Sequence, residues 1–406
     1  MTAVLTKKRA LQLFLLLIIV TASITFLIDQ RKPSIASSGV FPHAQGTQLI
    51  DSAGKPFVLK GAQIESGFAY WNPWKDTTGV QKSLASMLNP TVFNEMSKTW
   101  HMNALRLPLS NWVWAAHQQL FMQLLDKAIQ EANQAGLYVV LDLHDYQQGG
   151  SPYGNSAPMP KPESVTFWKA IAAHYSSNTM VMFDVYNEPH FRTANEWLNG
   201  GGTQGTGKKA PIIGMQTLVN TVRSVGAKQI VIIGGIHDAG TLRIKDPDIM
   251  YTTHTYRKVA NGSTAVWNAD WTGFLGHYPL FYGEWALLPN ATVSYRCETA
   301  TMQNANQKVT AFLDYMGQNN ISWTAWQFNP PYLIIDRTNF TPTSLNDPKH
   351  PWKCNSPNAI AGMGTMVYQY LTGGKGTSSS NSSSPSGSSS TDQNTASNGV
   401  LQFPRH

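Results

Sequence analysis

A closed (β/α)8 barrel is the architecture this sequence predicts, an α/β fold of the TIM-barrel kind with long aromatic-rich loops at the C-terminal face of its strands. Three observations predict it. Eight short, apolar, β-prone runs alternate with loops and, in most intervals, with helical periodicity, the pattern of a parallel sheet wound with helices. Polar residues capable of chemistry (Arg106, His144, Asn187, Glu188, His254, Tyr256, Glu284 and Trp326) fall at or just past the C-terminal ends of these runs, the edge where such barrels assemble their sites. No glycine-rich phosphate loop follows the first run, which disfavours an open sheet with its ligand at a single switch point.

The elements follow in order. A short hairpin spans Gln48 to Phe57 with Gly54-Lys55 at its turn, and the first barrel strand, Phe57 to Ile64, delivers Glu65. A loop carrying Tyr70, Trp71 and Trp74 precedes helical pattern over Thr91 to Thr99. The second strand, Ala104 to Pro108, presents Arg106 and is stopped by the proline. Trp112 and Trp114 read as loop, Leu120 to Ala135 as an amphipathic helix closed by Gly136, and Leu137 to His144 as the third strand. Phe167 to Tyr175 is helical and feeds Val181-Met182-Phe183-Asp184-Val185-Tyr186-Asn187-Glu188-Pro189, a buried strand whose polarity changes abruptly at Asn187. Pro189 biases Glu188 away from the α region, so the strand ends there with a carboxyl at its mouth. The loop from Pro189 to Lys209 holds Trp197, Ile212 to Val225 is helical, and Gln229 to Gly234 and Ile249 to His254 are strands five and six. Pro279 to Trp285 repeats the fourth strand's layout with Glu284, a helix covers Asn304 to Gln318, and Ile321 to Trp326 closes the set.

The 406 residues divide into a leader (1–39), a barrel (40–374) and a tail (375–406) rich in Ser, Gly and Asn that cannot offset its own ordering entropy. Lys7, Lys8 and Arg9 precede the apolar run of residues 10–28, which reads as an export signal or an uncleaved membrane anchor, with the rest of the protein extracellular. The net charge of +7 sits mostly at the ends: residues 1–39 carry +4 (Lys7, Lys8, Arg9, Arg31 and Lys32 against Asp29), and the tail carries +1 (Lys375 and Arg405 against Asp392). No basic stripe remains to follow a phosphate backbone, so nucleic acid is excluded as a partner. Cys297 and Cys354 suit one disulfide in an exported protein, with two free thiols as the alternative, and no His cluster beside them suggests zinc. No cofactor or metal is called for, and nothing in the sequence sets the oligomeric state, for which a monomer is the expectation.

Taken singly, a Glu after a strand is more often a cap or an ion-pair partner, and a lone His is more often structural. Two glutamates on two strand ends, accompanied by Arg, His, Asn and Tyr on the same rim, point instead to paired acid/base and nucleophile chemistry. The set Ala104-Leu105-Arg106-Leu107-Pro108, Leu141-Asp142-Leu143-His144, Asn187-Glu188-Pro189, His254-Thr255-Tyr256, Gly283-Glu284-Trp285 and Trp326 resembles glycoside hydrolase family 5, the cellulase family, over roughly Gly46 to Thr372. It is most similar to that family's endo-β-1,4-glucanase branch. The resemblance implies a retaining, endo-acting hydrolase of cellulose or soluble β-glucan with Glu188 as acid/base and Glu284 as nucleophile. It implies that Asn187 meets the sugar 2-hydroxyl, that Arg106 and Tyr256 hold the nucleophile, that His144 and His254 position sugar and acid/base, and that Trp326 is a sugar platform.

Retaining chemistry needs the two carboxyl groups about 5–5.5 Å apart, with the acid's pKa raised at the start of the cycle. Loop aromatics Trp71, Trp197 and Trp271 are further candidates for sugar contact, whereas Trp285 and Trp323 are expected to pack in the core. Glu65 either binds a sugar hydroxyl or bonds to backbone. A β-mannanase or other β-glycanase on the same framework is the alternative activity, and a silent carbohydrate-binding barrel is the non-enzyme reading.

Overall fold

The structure is a computed structural model that describes residues 40–70, 72–144, 158–204, 209–236, 239–256, 258–259, 262–287, 305–330, 332–344 and 363–374. Trp71, Cys297, Cys354, the apolar run 10–28 and the tail from 375 lie outside the described residues. Among the described residues no helix is long and apolar enough to cross a membrane. The expected transmembrane anchor and membrane-anchored location are corrected to this extent: among the described residues no segment supports them, and the run 10–28 lies outside those residues. Among the described residues the one helix long enough to span a bilayer, Asn111–Gln134, intersperses Gln, His, Lys and Glu among its apolar residues and buries only one face.

Three short strands, β1 (His43–Gln45), β2 (Gln48–Ile50) and β3 (Pro56–Phe57), form an antiparallel meander. It contains the hairpin expected over 48–57 and adds one strand before it. The barrel itself is β4 (Lys60–Gln63), β5 (Ala104–Leu109), β6 (Tyr138–Leu143) and β7 (Val181–Asp184), then, beyond a separate ribbon of β8 (Gly200–Gln204) and β9 (Ala210–Ile213), β10 (Val231–Ile233), β11 (Ile249–Thr255), β12 (Leu280–Trp285) and β13 (Ser322–Ala325). All eight barrel pairings are parallel, and β13 closes on β4. Every barrel strand expected from the sequence is present; β5 and β11 run one residue further than expected and the others are trimmed at their ends.

Period-two alternation sorts the strand side chains into two environments. Outward residues such as Leu105, Leu107, Val139, Leu141, Phe183 and Tyr282 pack with the surrounding helices in the main apolar core. Inward residues Ala104, Val140, Met182, Ile232, Met250 and Phe281, with Leu59 and Leu49 of β2, form a second cluster that fills the N-terminal end of the barrel. Each of the larger ones contributes about 1.5–3 kcal/mol by leaving water. Two residues further along β5, β6 and β7, and at the matching register of β4, the inward positions turn polar: Gln63, Arg106, Asp142 and Asp184 sit one layer above the apolar plug, all buried. The site stands on this layer.

Helix starts follow local capping. Asp76 accepts from the backbone of Thr78 and Gly79 at the head of Thr77–Met87, and Thr193 accepts from Glu196 at Ala194–Asn199. Ser110 caps Asn111–Gln134 through Val113 N. Trp112 and Trp114 therefore lie in a helix rather than in the expected loop. A non-helical residue at His117 breaks the periodicity that would have extended the helix back to its cap. The segment after Pro189, expected as loop, contains Ala194–Asn199 and the β8–β9 ribbon, where Gly200, Gly201 and Gly202 all take positive φ.

Candidate active site

Glu284 owes its direction to an irregularity in β12. Phe281 faces the barrel interior and Tyr282 packs outward, so strict alternation would point Glu284 away from the interior as well. The register against β11 skips Gly283: Thr253 pairs with Tyr282, and His254 with Glu284. One extra residue restores the inward direction. Only glycine fits the bulge, because a Cβ there would come 2.8 Å from Thr252 Oγ1 and 2.9 Å from His254 Nε2. The backbone groups freed by the bulge are taken up by side chains, Gly283 N donating to Thr252 Oγ1 and Thr324 Oγ1 donating to Gly283 O.

Both carboxylate oxygens of Glu284 are held. Arg106 Nη1 donates to Oε1 at 2.6 Å and the Tyr256 hydroxyl donates to Oε2 at 2.5 Å. Arg106 is fully buried and is kept charged by Asp142, Asp184 and Glu284 against the opposing effect of burial. A carboxylate fixed between a guanidinium and a phenol cannot rotate, which suits a nucleophile.

Glu188 stands just past β7. Pro189 was expected to hold it extended, yet it takes φ +42°, the left-handed region that a non-glycine residue adopts at a cost of about 1–3 kcal/mol. The turn is pinned on both sides, Asn187 N donating to Leu143 O and His190 N to Pro158 O. His254 Nδ1 lies 2.9 Å from Glu188 Oε1 and 3.6 Å from Glu284 Oε2, between the two carboxyls. One donor atom from each of Glu188, His254 and Glu284 falls within 4.8 Å of the others. They are the one trio of potential metal ligands so placed among the described residues, but Glu284 already spends both oxygens on Arg106 and Tyr256.

The electrostatics of Glu188 differ from the expected raised pKa. Burial pushes the carboxyl up, but the hydrogen bond and charge of His254, followed by the charges of His144 and His190, outweigh it and hold Glu188 at about 2. His254 moves the other way: burial lowers its pKa, and Glu284 and Glu188 raise it above the usual value. In the resting site the proton of this pair therefore sits on the imidazole.

The neighbouring groups complete the rim. Burial lowers the pKa of His144, and Asp142, whose Oδ2 is 2.5 Å from its Nδ1, raises it to a net increase. Asn187 Oδ1 accepts from Arg106 Nη2 at 3.0 Å, which fixes the amide beside the nucleophile's guanidinium partner. Trp326 is half-buried, edge-on to Tyr256 and Tyr332 at ring-centroid distances of 6.4 and 6.5 Å. Glu65 is gripped by residues after β13: Gln327 Oε1 accepts from Glu65 N, Gln327 Nε2 donates to Glu65 Oε2, and Asn329 Nδ2 donates to Glu65 O. Burial raises the Glu65 carboxyl to about 6, with His144 and Gln327 pulling it down and Glu284 pushing it up. It thus stands within electrostatic reach of Glu284.

Two expected sugar-facing rings do not reach the site. Trp197 is wholly buried with its indole N–H on Gly234 O, and Trp271 is wholly buried edge-on to Tyr282. Trp285 and Trp323 pack against each other in the core, as expected. The sequence reading missed Asp142, Asp184, Gln63 and Gln327. The first three carried a usable signal, a polar residue at an inward position of an otherwise buried strand.

Residues 50–331 match the family described as cellulase (glycosyl hydrolase family 5). Among characterised relatives, an endoglucanase from Paenibacillus polymyxa is 24% identical over 350 residues, covering 73% of this chain and 81% of its own length. Cellulase CelDZ1 from Thermoanaerobacterium sp is 25% identical over 333 residues, covering 76% of this chain and 79% of its own. Among solved structures, the β-glucanase SdGluc5_26A from Saccharophagus degradans superposes with a TM-score of 0.61 at 20% identity, covering 84% of this chain and 97% of that one. Match and barrel coincide: the family region runs from β2 past β13 and takes in Arg106, Glu188 and Glu284. The chain is a member of glycosyl hydrolase family 5, the cellulase family.

Proposed function

We propose that the protein is an endo-acting glycoside hydrolase that cleaves β-1,4-glucan with retention of configuration, Glu284 acting as nucleophile and Glu188 as acid/base. The observation that carries this reading is the pairing of Glu188 and Glu284 at the ends of β7 and β12, with carboxylate oxygens no more than 4.8 Å apart. That spacing accommodates direct attack and leaves no room for the intervening water of an inverting enzyme. The substrate follows the relatives, two of which are an endoglucanase and a cellulase, while SdGluc5_26A is also known in complex with cellotetraose.

In this reading Glu284, immobilised by Arg106 and Tyr256, attacks the anomeric carbon as Glu188 protonates the departing glycosidic oxygen. The proton is held on His254 in the resting site and passes along the 2.9 Å contact to Glu188 when a bound sugar excludes water, because the neutral pair is then favoured over the ion pair. The resulting glycosyl ester on Glu284 is hydrolysed by a water whose proton goes to Glu188. Asn187 offers its amide to the hydroxyl next to the anomeric carbon, Trp326 offers an apolar face, and Glu65 accepts from a sugar hydroxyl deeper in the cleft.

The test is product release from carboxymethyl-cellulose, mixed-linkage β-glucan, xyloglucan, β-mannan and xylan, with the anomer of the first-formed reducing end read by proton NMR. Release from the β-1,4-glucans with the β anomer first is expected. The α anomer first excludes double displacement, and a preference for mannan replaces the substrate while keeping the mechanism.

A further inference from the structure

Beneath Glu284 the barrel holds more acid than Arg106 can pair. Its five N–H groups are all committed. Nε and one Nη2 hydrogen go to Asp184 Oδ2 at 3.1 and 2.9 Å, the other Nη2 hydrogen to Asn187 Oδ1 at 3.0 Å, and the Nη1 pair to Gln63 Oε1 and Glu284 Oε1 at 2.5 and 2.6 Å. Asp142 Oδ1 also lies 3.0 Å from Nη2, but no hydrogen is left for it. Asp142 Oδ1 and Asp184 Oδ1 are consequently both buried without a hydrogen-bond partner. A buried, unsatisfied oxygen is destabilising, and more so when charged. The two aspartates are also register partners on the adjacent parallel strands β6 and β7. Their side chains leave the sheet on one face, from backbones about 4.8 Å apart, and converge on the same nitrogen.

We propose that Asp142 and Asp184 share one proton between their Oδ1 atoms, and that this pair is a positioning device that holds Arg106 against Glu284. A single proton satisfies both orphan oxygens and leaves the layer under the nucleophile with one carboxylate charge instead of two. The other charged groups facing the pair are Arg106 from β5, His144 from β6 and His254 from β11, and Glu284 from β12 is joined to it through Arg106. The electrostatics agree with the geometry: burial raises the Asp184 carboxyl to about 7, Arg106 opposing and Asp142 reinforcing the rise. When the proton leaves to solvent at higher pH, the doubly charged pair draws the guanidinium toward β6 and β7. Nη1 then loses its hold on Glu284 Oε1, and the attack geometry with it.

The consequence for turnover rests on Glu284 as nucleophile, but the proton is observable without turnover. The experiment is infrared titration of the full-length, ligand-free protein from about pH 5 to 9, with and without ¹³C-aspartate, beside Asp184→Asn. A protonated aspartic-acid band is expected that shifts with the label, fades as pH rises through neutrality and is missing from Asp184→Asn. A Glu65 band does not shift with labelled aspartate. The alkaline fall in kcat of the wild type follows the band and moves up by about one pH unit or more in Asp184→Asn, whose amide bridges Asp142 but cannot ionise. A wild-type spectrum with no aspartic-acid band at the acid end overturns the proposal whether or not the variant folds. An unmoved kcat profile in folded Asp184→Asn overturns the link to Arg106. If Glu284→Gln keeps its turnover while the band persists, the nucleophile assignment fails and the shared proton stands.

Discussion

Arg106 Nη1 lies 2.6 Å from Glu284 Oε1, and this contact joins a wholly buried charge layer to the open end of the barrel. Arg106→Lys keeps the charge but gives up most of a donor set that is fully used. Gln63, Asn187, Asp184 and Glu284 are left to compete for one ammonium. Urea denaturation is expected to show a loss of about 3–5 kcal/mol. In the folded fraction kcat/KM falls by at least about a hundredfold.

Glu284→Gln removes the attacking charge with almost no change of shape. Turnover drops by at least about a thousandfold, while calorimetry finds cello-oligosaccharide affinity within about threefold of the wild type. A variant that still turns over assigns attack to another group.

Tyr256→Phe deletes one donor to the ionised Glu284. A hydrogen bond to a charged acceptor is worth about 1.5–3 kcal/mol, so kcat/KM falls roughly tenfold to a hundredfold. A kcat/KM within about twofold of the wild type excludes this hydroxyl as a holder of Glu284.

The Glu188–His254 ion pair has its own pH window. Glu188 is held at about 2 against its ordinary 4.5, so its contribution is present above pH 4.5 and lost as pH falls toward 2. His254 is raised from 6.5, so its contribution is full below pH 6.5 and lost as pH rises through the folded value. The pair thus stabilises most between pH 4.5 and 6.5. His254→Asn is expected to narrow its stability gap to the wild type outside that window and to release Glu188 upward in a ¹³C carboxyl titration. A Glu188 that still titrates near 2 in the variant places the depressing charge elsewhere.

Two tryptophans separate packing from binding. Trp197→Phe leaves Gly234 O without its buried donor, at about 1–3 kcal/mol of stability. Its kcat/KM stays within about twofold of the wild type. Trp326→Ala does the reverse, with thermal stability little changed and kcat/KM down by up to about tenfold, the worth of one ring contact.

By itself the sequence determined the barrel and most of the site. A parallel strand buried on both faces must be a short apolar run, so where each run turns polar marks its C-terminal end. Arg106, His144, Glu188, His254 and Glu284 could be placed on one rim by that local signal alone. What only the tertiary structure decided is which groups meet. Strands tens to hundreds of residues apart bring Asp142, Asp184, Gln63 and Glu284 around Arg106, and nothing in their spacing specifies those partners. The inward direction of Glu284 depends on the register slip at Gly283 against β11, invisible in β12 alone. The downward shift of Glu188 comes from His254, 66 residues away. Trp197 and Trp271 carry the same composition signal as Trp326, and only the packing above the strands buries the first two and leaves the third at the opening. Local sequence fixes where a strand ends and what it presents there, whereas burial and charge are set by neighbours that the chain supplies from elsewhere.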